Sequence, residues 1–131
     1  MSGSKALLDT NVIILLSKQG IDVDALISRY DEFYVSIITY METYGYDFQN
    51  NAEKNIIDAF FELVEVIDVN KSIAQNVIVY KQSKKKKIKL PDAIILATAK
   101  YLGADLLSDD WDDFINIDPS VPVLNIDNLK R

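Results

Sequence analysis

The chain has 131 residues, with 14 lysines and arginines against 20 aspartates and glutamates, and it contains neither cysteine nor histidine. That length suits one domain with a single core, and the missing residue types exclude disulfides, thiolate or imidazole zinc sites, cysteine nucleophiles and histidine general bases. The reactive groups of an enzyme built on this chain would be carboxylates, hydroxyls, lysines or a bound ion, and carboxylate oxygens suit Mg²⁺ and Mn²⁺. The net charge of −6 fits a set of acids around a metal, although on composition alone ordinary solubility is the simpler explanation.

No apolar run is long enough to cross a bilayer, and the sequence does not open with a basic segment followed by an apolar one. We therefore expect a soluble, cytoplasmic protein that has no contact with a membrane. A single domain should span residues 1–131, with residues 1–4 flexible or partly derived from an expression vector.

The first half of the chain alternates between strand and helix patterns. Residues 6–8 form a short apolar run that predicts a strand, and residues 12–16 predict the helix after it. Apolar residues at 23, 26, 27 and 30 have helical spacing, and the aromatic and β-branched residues 33–37 predict a second strand. Two further helical stripes follow, at positions 37, 41 and 44 and at positions 56, 57, 60, 61 and 64.

The second half continues this alternation. Residues 63–69 predict a third strand, and the apolar positions 73, 77 and 80 predict a helix that runs into a group of lysines. Residues 91–99 begin with a proline suited to a first helical turn and are apolar nearly all round, as expected of a buried helix. Residues 105–107 and 121–126 predict the last two strands. The pattern predicts an α/β fold, a three-layer α/β/α sandwich around a parallel sheet of about five strands.

Acidic residues recur at the positions where such a fold binds ligands, beside the carboxyl ends of its strands. Asp9 follows the first predicted strand and Asp110 follows the fourth, while Asp92 stands in the first turn of the apolar helix. Glu42 lies six residues after Ser36, within a predicted helix. Singly, Asp9 could be a helix cap, Asp92 an acid that interacts with the helix dipole, and Glu42 an exposed helix residue.

Together, four carboxylates at one edge of a sheet would repel one another unless they were protonated or bridged by a cation. Divalent ions held by such a set can generate hydroxide from water, stabilise a leaving oxygen and neutralise the charge on a phosphate without any histidine. Phosphodiester hydrolysis is the reaction that these residues suit best.

Four segments resemble, in order and spacing, the acidic motifs of the PIN-domain ribonuclease family. They are KALLDTNVI at residues 5–13, SIITYME at 36–42, LPDAIILATA at 90–99, and LLSDD at 106–110 with Phe114. The resemblance covers nearly the whole chain. Because the chain is a short, stand-alone domain, it is similar in particular to the VapC-like toxins of type II toxin–antitoxin pairs.

The resemblance implies a PIN-like fold in which Asp9, Glu42, Asp92 and Asp110 are the catalytic, metal-binding acids. Asp9 and Asp92 would be direct ligands of Mg²⁺ or Mn²⁺, and the other two would complete the site or position water. Ser108 stands where the family usually has threonine, and its hydroxyl would orient the first acid. Such proteins are typically homodimers that cleave RNA, often transfer or ribosomal RNA, and a cognate antitoxin silences them by covering the site.

The acidic stretch after the fourth strand leaves one choice open. Either member of the Asp109–Asp110 doublet could fill the fourth acidic position, although the spacing from Ser108 favours Asp110. We therefore treat Asp109, together with Asn11, as a supporting residue. The remaining acids, Asp112 and Asp113, are expected to start a short helical turn that Trp111 and Phe114 attach to the body of the protein.

Positive charge is concentrated in one segment. Six of the 14 basic residues lie between positions 81 and 89, and no acid occurs between Asp68 and Asp92. Such a run is often only a solvated helix end, but beside an anionic site it could contact the phosphates of RNA. The residues for which we predict such contacts are Lys84, Lys85, Lys86 and Lys87.

Three other functions are compatible with an acid at the end of the first strand. A phosphatase of the haloacid dehalogenase type needs a second aspartate two positions after the first, where this chain has Asn11. A receiver domain needs an acidic pair near the first strand and a lysine after the fifth, and neither is evident. A catalytically weak PIN-like module that binds RNA or a partner protein stays open.

Overall fold

A sheet of five parallel strands forms the centre of the computed structural model, which describes residues 4–131. The strands are β1 (Lys5–Leu8), β2 (Glu32–Ser36), β3 (Glu65–Ile67), β4 (Asp105–Ser108) and β5 (Val123–Asn125), in the spatial order β3-β2-β1-β4-β5. The predicted parallel sheet is thereby confirmed. The expected flexibility of the amino terminus concerns residues 1–3, which lie outside the described part, and Ser4, whose carbonyl accepts hydrogen bonds from Asp31 and Glu32.

Within residues 4–131, six helices connect the strands and cover both faces of the sheet. They are α1 (Thr10–Ser17), α2 (Val23–Ile27), α3 (Ile37–Tyr44), α4 (Asn51–Leu63), α5 (Lys71–Gln82) and α6 (Leu90–Leu102). Short 3₁₀ turns follow at Trp111–Asp113 and Asp127–Leu129, and the first of these confirms the predicted helical turn.

Alternating side chains of the central strands build two separate cores, because successive residues of a strand point to opposite faces. Leu7 and Leu106 pack on the face that α5 and α6 cover. Leu8 and Leu107 pack on the other face, with residues of α1, α2 and α4. All four side chains are buried, as expected for parallel strands covered on both sides. The predicted α/β/α sandwich is confirmed.

The boundaries of three predicted strands are wrong, each for a local reason. Ile37 begins α3 rather than ending β2, because the Ser36 side chain caps the helix by accepting a hydrogen bond from the backbone N–H of Ile38 at 3.2 Å. Leu63 belongs to α4 and is 85% exposed, so its apolar character does not indicate a strand. β5 covers only Val123–Asn125 of the predicted 121–126, because Val121 and Ile126 are buried outside the paired segment, so their apolar character does not indicate a strand.

Among residues 4–131, no helix is both long and apolar enough to span a membrane.

Candidate metal centre

The sequence-predicted acids meet at the carboxyl edge of β1 and β4, in the middle of the sheet. From β1 the strand order runs to β2 on one side and to β4 on the other, which is the arrangement at which parallel sheets bind ligands. A depression here, the acidic pocket, is lined by Asp9, Thr10, Asn11, Glu42, Lys89, Pro91, Asp92, Asp110 and Asp113. Three helices, α1, α3 and α6, and the residues that follow β1 and β4 therefore contribute to a single surface.

Asp9 is the buried centre of this pocket. It lies directly after β1, where its backbone N–H donates to the carbonyl of Leu107 at 3.0 Å. Its Oδ1 accepts a hydrogen bond from the backbone N–H of Thr10 at 2.8 Å, and its Oδ2 accepts one from the Ser108 hydroxyl at 2.8 Å. Asp9 thus caps α1, as the simpler interpretation predicted, and at the same time contributes its carboxylate to the pocket.

Ser108 also connects Asp9 to the fourth acid. Its Oγ accepts a hydrogen bond from the backbone N–H of Asp110 at 2.9 Å while its hydroxyl proton goes to Asp9. The side-chain amide of Asn11 donates to Asp110 Oδ2. Ser108 lies beneath the pocket, and Asn11 lines it, so both lie where supporting residues were predicted.

Asp109 lies outside the acidic pocket. Its Oδ1 is 2.5 Å from the ammonium of Lys130, which also contacts Asp127 at 3.0 Å. Of the two adjacent carboxylates, only that of Asp110 lines the pocket.

Three polar residues of the pocket were not assigned from the sequence. Thr10 donates through Oγ1 to Glu42 Oε1 at 2.7 Å and so holds the acid that α3 contributes. Asp113 is a fifth acid of the pocket, and Lys89 lines it from the start of α6. A signal for Asp113 was available, because residues three apart in a 3₁₀ turn are eclipsed and Asp110 precedes it by that interval. Thr10 and Lys89 carried no comparable signal.

Burial and like charge raise the pKa of two of these acids. Removal from water raises the pKa of Asp9 to about 6 against the lowering effect of its hydrogen bonds to Ser108 and Thr10, and the charges of Asp92 and Asp110 add to the increase. Burial likewise raises the pKa of Asp92 to about 6, followed by repulsion from Asp113 and Glu42. Lys89 acts in the opposite direction on Asp92. The repulsion expected of clustered carboxylates is therefore present.

The donor atoms suit a hard divalent cation, because carboxylate and hydroxyl oxygens are the ligands that Mg²⁺ and Mn²⁺ prefer. Within the described residues, no three acidic side chains are grouped closely enough to hold an ion by themselves. Mg²⁺ commonly uses only one or two carboxylates and retains several waters, so this arrangement suits an ion whose coordination is completed by water. The pocket thus fits the metal by its chemistry.

The predicted RNA-binding lysines fall into two groups. Lys84, Lys85 and Lys87 are exposed, and their side chains form no hydrogen bond or ion pair with any of residues 4–131. Lys86 is half-buried, and its ammonium donates to the backbone carbonyls of Asp112 and Ile115. Lys86 therefore faces the protein rather than the solvent.

A separate apolar groove lies between α1, α2, α4 and β2. It is lined by Leu16, Val23, Leu26, Ile27, Phe33, Ile56, Ala59, Phe60, Leu63 and Val64. Ile27 and Leu63 are among its most exposed members, at 56% and 85%. The groove has no side chain suited to acid–base or metal chemistry, so its character is that of a contact surface.

The PIN domain family profile matches residues 6–118. The chain is 30% identical to one in a toxin–antitoxin complex from Klebsiella pneumoniae, with 91% of this chain and 95% of that one covered and a TM-score of 0.72. VapBC2 from Rickettsia felis, bound to a promoter DNA fragment, is similar in fold at 20% identity, with 92% and 98% covered and a TM-score of 0.76. DNA-bound VapBC from Salmonella typhimurium is also similar in fold, at 21% identity, 93% and 98% coverage and a TM-score of 0.75. The chain matches no curated protein sequence.

Proposed function

The chain belongs to the PIN domain family, and on that premise we propose that it is a metal-dependent endoribonuclease, the toxin of a toxin–antitoxin pair. The similarity to a chain of a toxin–antitoxin complex, at 30% identity over most of both chains, supports the second part of this proposal. The first part depends on the chemistry of the acidic pocket.

The observation that supports a nuclease most strongly is the buried carboxylate of Asp9 among four other acids of one pocket. Burying an ionised carboxylate is unfavourable without a compensating positive charge, and the raised pKa of Asp9 expresses that cost. A divalent cation would compensate it. The buried Asp9 lies at the edge of the sheet, where the family resemblance implies the catalytic site.

We assign Asp9 and Asp92 as the direct metal ligands, with Glu42, Asp110 and Asp113 completing the site or holding water. When bound, Mg²⁺ or Mn²⁺ supplies a hydroxide formed from water and neutralises charge on the scissile phosphate. The protein prepares its own ligands for this role. Ser108 fixes Asp9, Thr10 fixes Glu42 and Asn11 fixes Asp110, each by a hydrogen bond that leaves other carboxylate lone pairs available.

RNA is the proposed substrate, and transfer or ribosomal RNA is the class that the family resemblance favours. Exposed ammonium groups beside an acidic pocket can bind the phosphates that flank the cleaved bond. Lys84, Lys85 and Lys87 have side chains free for such contacts, and Lys89 lies at the pocket itself. Lys86 is a weaker candidate, because its ammonium already binds two carbonyls.

The proposed partner is a cognate antitoxin in the cytoplasm, together with a second copy of the chain in a homodimer. The apolar groove supports a protein partner, because exposed apolar side chains grouped in one concave surface are costly to leave in water. Its lining suits the apolar face of a helix from the antitoxin.

Cleavage of defined RNAs by the purified protein, with Mg²⁺, with Mn²⁺ or with a chelator, tests the nuclease proposal. We expect cleavage only with a metal, and its loss in both Asp9→Asn and Asp92→Asn. Asp127→Asn serves as the matched control, because its carboxylate is 69% exposed and contacts Lys130 rather than the pocket.

RNA binding without cleavage under either metal would contradict the proposal and favour the catalytically weak binding module. Cleavage that continues in the chelator, or that survives both pocket substitutions, would indicate a contaminating nuclease.

A further inference from the structure

Lys86 holds the segment that carries two acids of the pocket. Its ammonium donates to the carbonyl of Asp112 and, at 3.2 Å, to the carbonyl of Ile115. These carbonyls belong to residues 110–115, the acidic turn, which begins with Asp110 and includes Asp113. The loop between α5 and α6 is thus attached by Lys86 to the segment after β4.

We propose that Lys86 is a positioning residue of the metal centre, one that fixes the acidic turn so that Asp110 and Asp113 point into the pocket. This inference rests on the proposed metal-dependent function. It assigns Lys86 a role different from the RNA contacts predicted for the lysine run, and the role acts through the backbone of the turn rather than on substrate.

Other contacts hold the start and the middle of the acidic turn: Ser108 and Asn11 hold Asp110, and two aromatic side chains anchor the residues after it. Phe114 is buried and anchors the turn to the core, and the Trp111 indole N–H donates to the carbonyl of Val123 at 3.1 Å. The internal hydrogen bonds of the turn run from the N–H of Asp113 to the carbonyl of Asp110, and from the N–H groups of Phe114 and Ile115 to the carbonyl of Trp111. Lys86 supplies the only side-chain hydrogen bonds, among the described residues, to the carbonyls of Asp112 and Ile115.

If Lys86 acted only through its charge, its removal would strengthen metal binding, whereas loss of a positioning residue would weaken it. A positive charge near an acidic pocket repels a divalent cation, so neutralising it should strengthen metal binding if Lys86 acts only as a charge. If Lys86 positions the acidic turn, the same substitution should weaken metal binding, because the carboxylates lose their fixed orientation. The sign of the change therefore separates the two explanations.

Mn²⁺ alone is a suitable probe, and its binding can be followed by the fluorescence of Trp111, the single tryptophan of the chain, which lies within the acidic turn. We expect Lys86→Met to weaken Mn²⁺ binding by about tenfold or more, the size typical for residues that orient metal ligands. Lys86→Arg should restore most of the affinity, since it keeps both donors and charge.

Lys5→Met is the matched control. Lys5 also donates to a backbone carbonyl, that of Leu102 at 3.4 Å, but it lies at the start of β1, at the opposite edge of the sheet. This substitution removes the same charge and a similar contact, so it should leave Mn²⁺ affinity unchanged. Hydrogen exchange of the Asp113 and Phe114 amides, measured without metal, should accelerate in Lys86→Met and not in Lys5→Met.

Unchanged or tighter Mn²⁺ binding in Lys86→Met would overturn the inference, and so would unchanged hydrogen exchange in the acidic turn. A wild-type protein that shows no response to Mn²⁺ would instead overturn the proposed metal centre. In that case the exchange measurement still decides whether Lys86 orders the turn.

Discussion

Two adjacent residues of identical chemistry, Asp109 and Asp110, differ completely in surroundings. Asp110 faces the acidic pocket, where Asn11 donates to it, while Asp109 faces Lys130. The difference arises from the direction in which each side chain leaves the turn after β4, and Ser108 sets that direction by accepting a hydrogen bond from the backbone N–H of Asp110.

Replacement of each aspartate by asparagine separates their roles. Asp110→Asn should reduce metal-dependent RNA cleavage by about tenfold or more, because it removes one negative charge from the pocket. Asp109→Asn removes only a partly exposed ion pair, worth about 1 kcal/mol or less, and should leave cleavage rates near those of the wild type. Equal losses in both variants would contradict the assignment of Asp110.

The raised pKa of Asp9 makes a prediction about the protein without metal. Because the pKa of the folded protein is about 6 against an ordinary value of 3.8, Asp9 favours folding at low pH, and that advantage disappears as the pH rises through 6. Asp9→Asn keeps a side chain of the same shape and avoids the buried charge. In a chelating buffer at pH 7.5, it should therefore increase the free energy of unfolding by roughly 1–3 kcal/mol.

Urea denaturation at pH 5 and at pH 7.5 checks this sign. The stability advantage of Asp9→Asn should be smaller at pH 5, where much of the wild-type Asp9 is protonated. If Asp9→Asn is less stable than the wild type in the chelating buffer at pH 7.5, then the charge of Asp9 does not destabilise the folded protein.

At the scale of elements, the two ends of α6 position residues of the acidic pocket. Pro91 lies in its first turn, beside Asp92, and Gly103 ends it in the left-handed conformation with a φ of 66°. Ala104 then donates back to the carbonyl of Ala99 at 3.0 Å, and β4 begins at once with Asp105. This compact ending sets the path of the strand that leads to Ser108 and Asp110.

Gly103→Ala should therefore destabilise the protein by about 1 kcal/mol, because an L-residue with a side chain seldom adopts this conformation. The space around Gly103 is open, so backbone strain rather than a steric clash is the cause. Gly103→Asn should cost less, since asparagine tolerates positive φ better than alanine. Urea denaturation of the two variants measures both effects, and equal stability of Gly103→Ala and the wild type would contradict this account of the helix end.

Sequence patterns predicted most elements because the central ones are simple. β1 and β4 are short apolar runs, and α6 is apolar nearly all round, so their type was evident without any tertiary context. The edges of the sheet were harder. Leu63 looks like part of an apolar strand but ends a helix, because only packing of the whole chain decides which apolar residues are covered.

The candidate site was predictable to the extent that it depends on strand ends. Asp9 follows β1 directly and Asp110 lies two residues after β4, so the edge of the sheet brings them together. Lys86 could not be distinguished from its neighbours, because four consecutive lysines look alike until the loop geometry turns one of them inward. Thr10 likewise depended on the way α1 packs against α3.

At the scale of the whole molecule, the charge distribution has two opposite effects on RNA binding. The net charge of −6 repels RNA, yet the loop between α5 and α6 carries a patch of exposed lysines, and Lys89 at the end of this loop lines the acidic pocket. Binding of a polyanion must therefore be local and strongly dependent on salt.

The triple variant Lys84→Ala, Lys85→Ala and Lys87→Ala tests this patch. Binding is measured with single-stranded RNA in a chelating buffer, which prevents metal-dependent cleavage. The slope of log Kd against log salt concentration should be smaller by about two in the triple variant, because each lost phosphate contact lowers it by roughly 0.7. Lys54→Ala, which removes an exposed lysine of α4 paired with Asp58, should leave the slope unchanged. An unchanged slope in the triple variant would contradict RNA binding by the patch.

The central claim is that the acidic pocket is a divalent metal centre, and anomalous diffraction from crystals soaked in Mn²⁺ tests it most directly. We predict an anomalous peak within the pocket, next to the carboxylates of Asp9 and Asp92, that is absent from crystals of Asp9→Asn. A pocket without a peak at saturating Mn²⁺, or a peak that persists unchanged in Asp9→Asn, would contradict the claim.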